Sequence, residues 1–377
     1  MSSKSLNKSV SGSVVFAPRG EFFSTLKTRV DNYFREHRIE PTGGWALYRK
    51  TLVGYGLIFG GYISLVWFVD SLWAALLAGF ALAQGYIIVA FNVMHDGAHG
   101  SYSKRRWVNW LAGATMDVIG SSQMLWKQKH NQLHHTYPNI DGKDDDISIG
   151  ALMRLSPNQK WYPWHRLQAL YAPVLYSMLT MYLGLFSDFQ KVVTNKIGNT
   201  PLQRQAAWEL PWFVTHKLAY FGYTLVLPAL FHPFWQVVVA FIGVHAVFGL
   251  VLSLVFQLAH TVEGTDFPLP PEGSNRMPDE WAVHQLNTTA DFAPGNKLAS
   301  FYMGGLNFQI EHHLFHRISH IHYPALSAIV RKTCEEFAVR YLCFPSVRAA
   351  VAAHFRLLHS LGHKPTGQSS PNTLHPA

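Results

Sequence analysis

Histidine carries the chemistry of this sequence. The chain has 21 histidines among its 377 residues, and many of them cluster. Three groups stand out: His95-Asp-Gly-Ala-His99, His130-Asn-Gln-Leu-His134-His135 and Gln309-Ile-Glu-His312-His313. In the first two, histidines stand at i and i+4, which a helix places on one face, one turn apart. Two imidazoles so placed converge on a metal ion, and an adjacent ring such as His135 reaches a second one. Neutral imidazole suits iron, zinc, copper and nickel. His260 ends a long apolar run, from which it can drop into the same site. A single pair of this kind is more often a polar surface or a satisfied core pair. Three clusters beside apolar segments, two with adjacent histidines, make coincidence a poor explanation.

Other polar residues near the clusters have blander readings. His316, His320 and His322 are expected to belong to the packed surface near the site. His216 and His245 read as hydrogen-bonded or interfacial. Asp141, Asp144, Asp145 and Asp146 have two readings, as partners behind ligand imidazoles or as a solvated acidic loop. Trp126, Lys127 and Lys129 read as a basic membrane rim, with contact to a polar headgroup as the second reading.

The elements that must position these residues are membrane helices. Only 14% of residues are charged and 49% are hydrophobic, against about a quarter charged in ordinary soluble domains. From Leu218 to Val262 there is no Asp, Glu, Lys or Arg, a run long enough for two crossings of roughly 20 residues each. The mean hydropathy is nonetheless only +0.05, so a substantial aqueous portion balances the membrane part. The net charge of +9 fits a cytoplasmic membrane rim better than nucleic-acid binding. Cys334 and Cys343 form neither a metal pair nor a disulfide framework. The N-terminus carries no signal-peptide pattern, which leaves targeting to the first transmembrane segment.

Along the chain, residues 1–20 are expected to be disordered, 21–363 to form the main domain, and 364–377 to be a disordered tail. Leu52–Val69 and Ser71–Met94 read as a tight helical hairpin around Asp70. A second hairpin occupies the charge-free run and turns at His232-Pro233. Leu167–Ser187 is long enough to span, but parity places it in the interface. The clusters can share one site only if an even number of crossings separates them, and the second hairpin already supplies two. Lys and Arg concentrate in the N-terminal segment and in His95–Arg166, so the site is expected on the cytoplasmic side.

At these residues the sequence resembles the membrane fatty acid desaturases. HDGAH, HNQLHH and QIEHH look like that family's three histidine boxes in order and spacing, and the glutamine opening the third is similar to the front-end group. HHTYPNIDGKDDDI, FQLAHTVE and EHHLFHRISHIHYPAL agree with it. The resemblance covers roughly residues 20–355. It implies an all-α membrane protein, with two transmembrane hairpins (four spans) under a helical cytoplasmic domain that holds two irons. Residue by residue, His95, His99, His130, His134, His135, His312 and His313 match box ligands, and His260 matches an additional ligand histidine. Gln309 stands where many relatives have histidine, at or just behind the metal. There are two departures: no fused b-type cytochrome domain is evident, and His316 replaces a proline usual after the third box.

The chemistry implied is removal of hydrogen from unactivated methylenes. No carboxylate or Ser–His base can do this, so a redox metal and dioxygen are required. Substrate would be a fatty acyl chain carried by coenzyme A or by a lipid, entering a narrow apolar tunnel. With no Rossmann fingerprint, iron–sulfur cysteine set or heme domain in sight, the two electrons of each turnover must come from a separate carrier, a ferredoxin or a b-type cytochrome. The expected membrane is the bacterial inner membrane or the endoplasmic reticulum. The nearest rival is an acyl-chain hydroxylase on the same scaffold. A metal transporter is more distant, since its ionisable groups belong near the bilayer midplane.

Overall fold

Long apolar runs broken by short polar turns fold into two helical hairpins. In the computed structural model, which describes residues 13–203 and 206–365, the first hairpin joins Trp45–Phe68 to Leu72–His99. Ser71 caps the second of these helices, its hydroxyl accepting from the Ala74 N–H at 3.3 Å. Glycine lets the two helices meet backbone to backbone. A Cβ on Gly61 would lie 2.7 Å from the Leu82 nitrogen, and one on Gly85 would lie 2.7 Å from the Ile58 nitrogen. The second helix runs on past the expected end at Met94, with His95 and His99 in its last turn, and Gly100 at φ 79° ends it.

The second hairpin begins with Glu209–Phe221, continues through Gly222–Val226 and Leu227–Ala229, and returns as Phe234–His260. Its turn touches that of the first hairpin, where a His232 ring nitrogen lies 2.8 Å from the Val66 carbonyl. Both tips therefore lie at the end opposite the histidine clusters. Lys217 enters the apolar layer with its charge paired. Its ammonium donates to Asp188 at 2.8 Å, and to the carbonyls of Gly120 and Gly184 at 2.9 and 3.1 Å.

Among the described residues, four helices are long and apolar enough to cross a membrane: Trp45–Phe68, Leu72–His99, Pro163–Thr194 and Phe234–His260. By composition, then, the helix containing Leu167–Ser187 takes a place that parity had given to the strand of the second hairpin before His232. Geometry separates the two. Pro163–Thr194 starts beside Ala151, whose carbonyl meets the His165 ring at 2.9 Å, and nears its end with Lys191 3.5 Å from Asp145. Both ends of this helix thus meet the segment that follows the second cluster, whereas Glu209–Ala229 leads into the turn at His232.

A layer of shorter helices covers the histidine end. Arg106–Val118 packs on the first cluster. Gln123–Trp126 runs straight into Lys127–His134, and Gln309–Phe315 carries the third cluster. Glu21–His37 closes this layer, burying Phe22, Phe23, Leu26 and Val30 against Tyr323–Glu336. Order begins inside the segment expected to be disordered: Val15–Ala17 pairs in parallel with Arg276–Glu280, and Val14 is buried. The remainder of that segment, residues 1–12, and all but the first two residues of the expected tail lie outside the described residues.

Candidate metal centre

The turn that leads into the first cluster and the one that carries the second are wider than α-helical ones. Ala90–Met94, just before His95, is π-helical, and so is Lys127–His134. The His135 N–H bonds the carbonyl of His130, five residues back, at 3.0 Å. This widening puts His130, His134 and His135 on one wall, in keeping with the frequent use of π turns at functional sites. Across from it stand the last turn of the first hairpin and Gln309–Phe315. One nitrogen each from His95, His99, His130 and His312 lies within 4.8 Å of the others, and the same holds for His134, His260 and His313. His135 stands between the two groups, its ring 4.6 Å from that of His312 and 4.4 Å from that of His313. All eight residues are buried.

Hydrogen bonds aim several of these rings from behind. His134 Nδ1 lies 3.1 Å from both Asp144 oxygens, His312 Nδ1 3.1 Å from the Tyr323 hydroxyl, and His313 Nδ1 2.7 Å from Gln285 Oε1. His260 Nδ1 lies 3.1 Å from the Thr288 carbonyl. With Nδ1–H donating outward, Nε2 presents its lone pair inward. The Nε2 atoms of His134, His312 and His313 are indeed buried without a partner, and so are both ring nitrogens of His95 and His99. Leaving one such atom unsatisfied costs about 1–3 kcal/mol, so their convergence makes sense as a binding site. Burial, with the neighbouring imidazoles adding to it, holds His135, His312 and His313 well below the ordinary pKa. Burial also brings His130 down to about 4. Neutral rings are the form a metal requires. His134 is the exception: burial disfavours its charged form, yet Asp144 and Asp146 together outweigh burial and raise its pKa. The set is rich in imidazole and free of thiolate, and it fits metal ions of the borderline class.

All eight histidines predicted as ligands are thus brought together. Gln309 joins them, its Nε2 3.4 Å from His260 Nε2 and its Oε1 buried without a partner. Of the two readings for the acidic stretch, Asp144 takes the one behind a candidate ligand, His134, and is fixed in turn by the N–H groups of Asn139 and Asp146. Asp146 stands 3.4 Å from His134 and completes a further candidate group with His130 and His134. Asp141 instead binds Ser156 and Gln159, and Asp145 pairs with Lys129 and Lys191. Lys129 is therefore no part of an exposed rim. Trp126 stacks on His130 with ring centres 4.2 Å apart.

The flanking histidines divide. His316 reaches the edge of the cluster, its ring 4.8 Å from His135 and 5.2 Å from His99. His320 is buried rather than superficial, bonded to Asp96 and Lys50. His322 packs edge-on against Phe34. His216 and His245 are hydrogen-bonded, as expected. Sequence reasoning missed Gln285, Thr288 and Tyr323, which hold candidate ligand rings from elsewhere in the chain. It also missed the buried pair Asp291–Glu311, bridged by the Tyr341 hydroxyl at 2.5 and 3.0 Å. Burial raises both carboxyls, Asp291 to about 6 and Glu311 well above its usual range.

With this geometry in hand, comparison with known proteins is direct. Residues 71–345 match the family model "Fatty acid desaturase". The chain is 36% identical to the sn-1 linoleoyl-lipid 6-desaturase of Arthrospira platensis, over 95% of this chain and 97% of that one. It is 35% identical to the sn-1 linoleoyl-lipid 6-desaturase of a Synechocystis strain, over 93% and 98%. An acyl-lipid (8-3)-desaturase of Physcomitrium patens is also 35% identical, over 92% of this chain and 72% of its own length. Matched over most of its length by the family model and by these relatives, the chain belongs to the fatty acid desaturases, membrane oxidoreductases of lipid metabolism.

Proposed function

We propose that this desaturase holds two irons and inserts a cis double bond near the carboxyl end of an acyl chain carried by a membrane lipid. The observation that supports it most strongly is the set of eight buried imidazoles, several bonded behind and free in front. His95, His99, His130 and His312 are assigned to one iron, His134, His260 and His313 to the other, and His135 to the space between. Gln309 is assigned an oxygen contact beside His260. Its amide nitrogen and oxygen interchange by a flip, after which the oxygen faces inward.

Iron bound there, with dioxygen and two external electrons, supplies an oxidant strong enough to take hydrogen from unactivated methylenes. The chain's own residues do the positioning. Asp144, Gln285, Tyr323 and the Thr288 carbonyl hold the rings in place. The buried histidine walls keep water from the reacting carbons. Residues 21–363 form the catalytic domain, with the site facing the cytoplasm. Electrons arrive from a ferredoxin or b-type cytochrome. Relatives named as 6- and (8-3)-desaturases of acyl lipids support both the lipid carrier and the carboxyl-proximal position.

The test is expression in a host without polyunsaturated-lipid desaturases, followed by mass spectrometry of its lipid acyl chains. The expected products are alkenes two hydrogens lighter than the substrate, appearing first in intact lipids. A hydroxylated main product overturns the assignment in favour of a hydroxylase, and first appearance in the coenzyme A pool overturns the lipid carrier.

A further inference from the structure

A buried polar chain lies directly behind the first cluster and joins three distant parts of the sequence. Lys50, in the first transmembrane helix, is only 9% exposed. Its ammonium donates to Asn92 Oδ1 at 2.9 Å and to His320 Nε2 at 2.8 Å. The other ring nitrogen of His320 donates to Asp96 Oδ1 at 2.9 Å, and the Ser319 hydroxyl donates to Asp96 Oδ2 at 2.6 Å. His320 and Asp96 are 3% and 1% exposed.

An ammonium on one side and a carboxylate on the other select the state of the ring. Asp96 accepts, so Nδ1 carries the hydrogen; Lys50 donates, so Nε2 is bare. A neutral imidazole therefore stands between a buried cation and a buried anion, and the three groups together carry no net charge.

Asp96 sits between His95 and Gly97. Its backbone carbonyl accepts from the Ser101 N–H at 2.9 Å and from the Ser101 hydroxyl at 3.2 Å, closing the His95–His99 turn. The carboxylate of this turn is thus gripped by the segment behind the third cluster and, through it, by the first span. Close approach on the far side is built in. Gly305 takes φ 68°, and a Cβ there would lie 2.8 Å from His320 Cβ.

We propose that Lys50, His320 and Asp96 form a positioning relay. It sets the rotation of the His95–His99 turn against the third cluster and so keeps the iron held by His95, His99, His130 and His312. This role rests on reading that cluster as an iron site. His320 is a positioning residue, acting through Asp96 rather than on substrate. Removing either charge leaves the other buried and unpaired, which is far more disruptive than removing both.

The experiment measures iron per chain, Mössbauer spectra and iron release to a chelator in the full-length purified enzyme. His320→Phe keeps the bulk and deletes both bonds. It is expected to lose about half of the iron and one spectral component, and to release what remains at the first site about ten to a hundred times faster. His320→Asn keeps a donor toward Asp96 and is expected to retain iron within about twofold of wild type. Iron content, spectra and release in His320→Phe identical to wild type would overturn the relay. If His320→Phe fails to fold, charge replacement decides. The double variant Lys50→Met with Asp96→Asn must hold more iron than either single variant, and equal or lower retention overturns the proposal. Wild-type protein without iron would instead bring down the iron reading itself, and the relay with it.

Discussion

At the scale of single residues, His134 shows how the site is held. Its Nδ1 faces the Asp144 carboxylate and its Nε2 faces the cavity. Asp144→Ala should therefore lower iron affinity about 10- to 100-fold while leaving the helices in place, checked by metal titration alongside circular dichroism. Unchanged affinity would mean that the contact is incidental.

Acidity follows from the same rings. His130 is held neutral, with its pKa lowered by burial from 6.5 to about 4. Between those values the unfolded chain binds a proton that the folded chain refuses. Stability is thus full above pH 6.5 and falls as pH drops toward 4, and metal-depleted protein should show a falling melting temperature over that window. A melting temperature that rises on acidification would contradict it. The histidine pairs were legible in the sequence because i and i+4 spacing is local. Gln285 and Tyr323 were not, because nothing in their own neighbourhoods marks them as partners of His313 and His312. His320 was read as superficial for the same reason: the groups that compensate its burial, Lys50 and Asp96, lie far off in sequence.

At the scale of elements, the first cluster is aimed by a helix that touches its neighbour at glycine. A Cβ on Gly97 would lie 2.5 Å from the Gly113 nitrogen and 2.6 Å from Ala112 Cβ, backbone and short side chain that cannot swing away. Gly97→Ala should push the His95–His99 turn off Arg106–Val118 and reduce desaturation by at least about tenfold, since a misplacement near 1 Å costs on the order of 100-fold. Activity near that of wild type would show that the turn tolerates the shift. The hairpins were readable from hydropathy because their apolar runs are long. The π turns were not, since apolar periodicity does not report one extra residue per turn.

Composition also failed to orient Pro163–Thr194, which is apolar enough to cross yet meets the segment after the second cluster with both ends. Cysteines placed at Ser103 and Asn195 should be labelled from one face of the membrane, and a cysteine beside His232 only from the other. Opposite labelling of Ser103 and Asn195 would make Pro163–Thr194 a span.

At the scale of the whole molecule, the two hairpins stand under a polar layer that closes over the histidines, and the positive charge gathers in part on that layer. The Lys and Arg concentrated in His95–Arg166 leave a smaller free basic surface than their number suggests. Lys129 is consumed by Asp145 and Asp146, and Lys104 pairs with Glu40. Arg105 and Arg106 remain exposed. Replacing both with glutamine should raise the concentration of an acidic electron carrier needed for half-maximal rate and flatten its dependence on salt, with iron content unchanged. A salt dependence identical to wild type would move the docking surface elsewhere. The class of fold was legible from two apolar hairpins and three histidine clusters. Which residues stand behind the ligands was not, because only tertiary packing brings those partners together.

The most direct measurement is the metal content of purified, active enzyme, taken with the variants His134→Ala and His313→Ala. About two irons per chain in wild type, with loss of both iron and desaturation in each variant, is the expected result. Stoichiometric zinc in active enzyme, or iron that persists when these histidines are removed, would contradict a two-iron histidine centre.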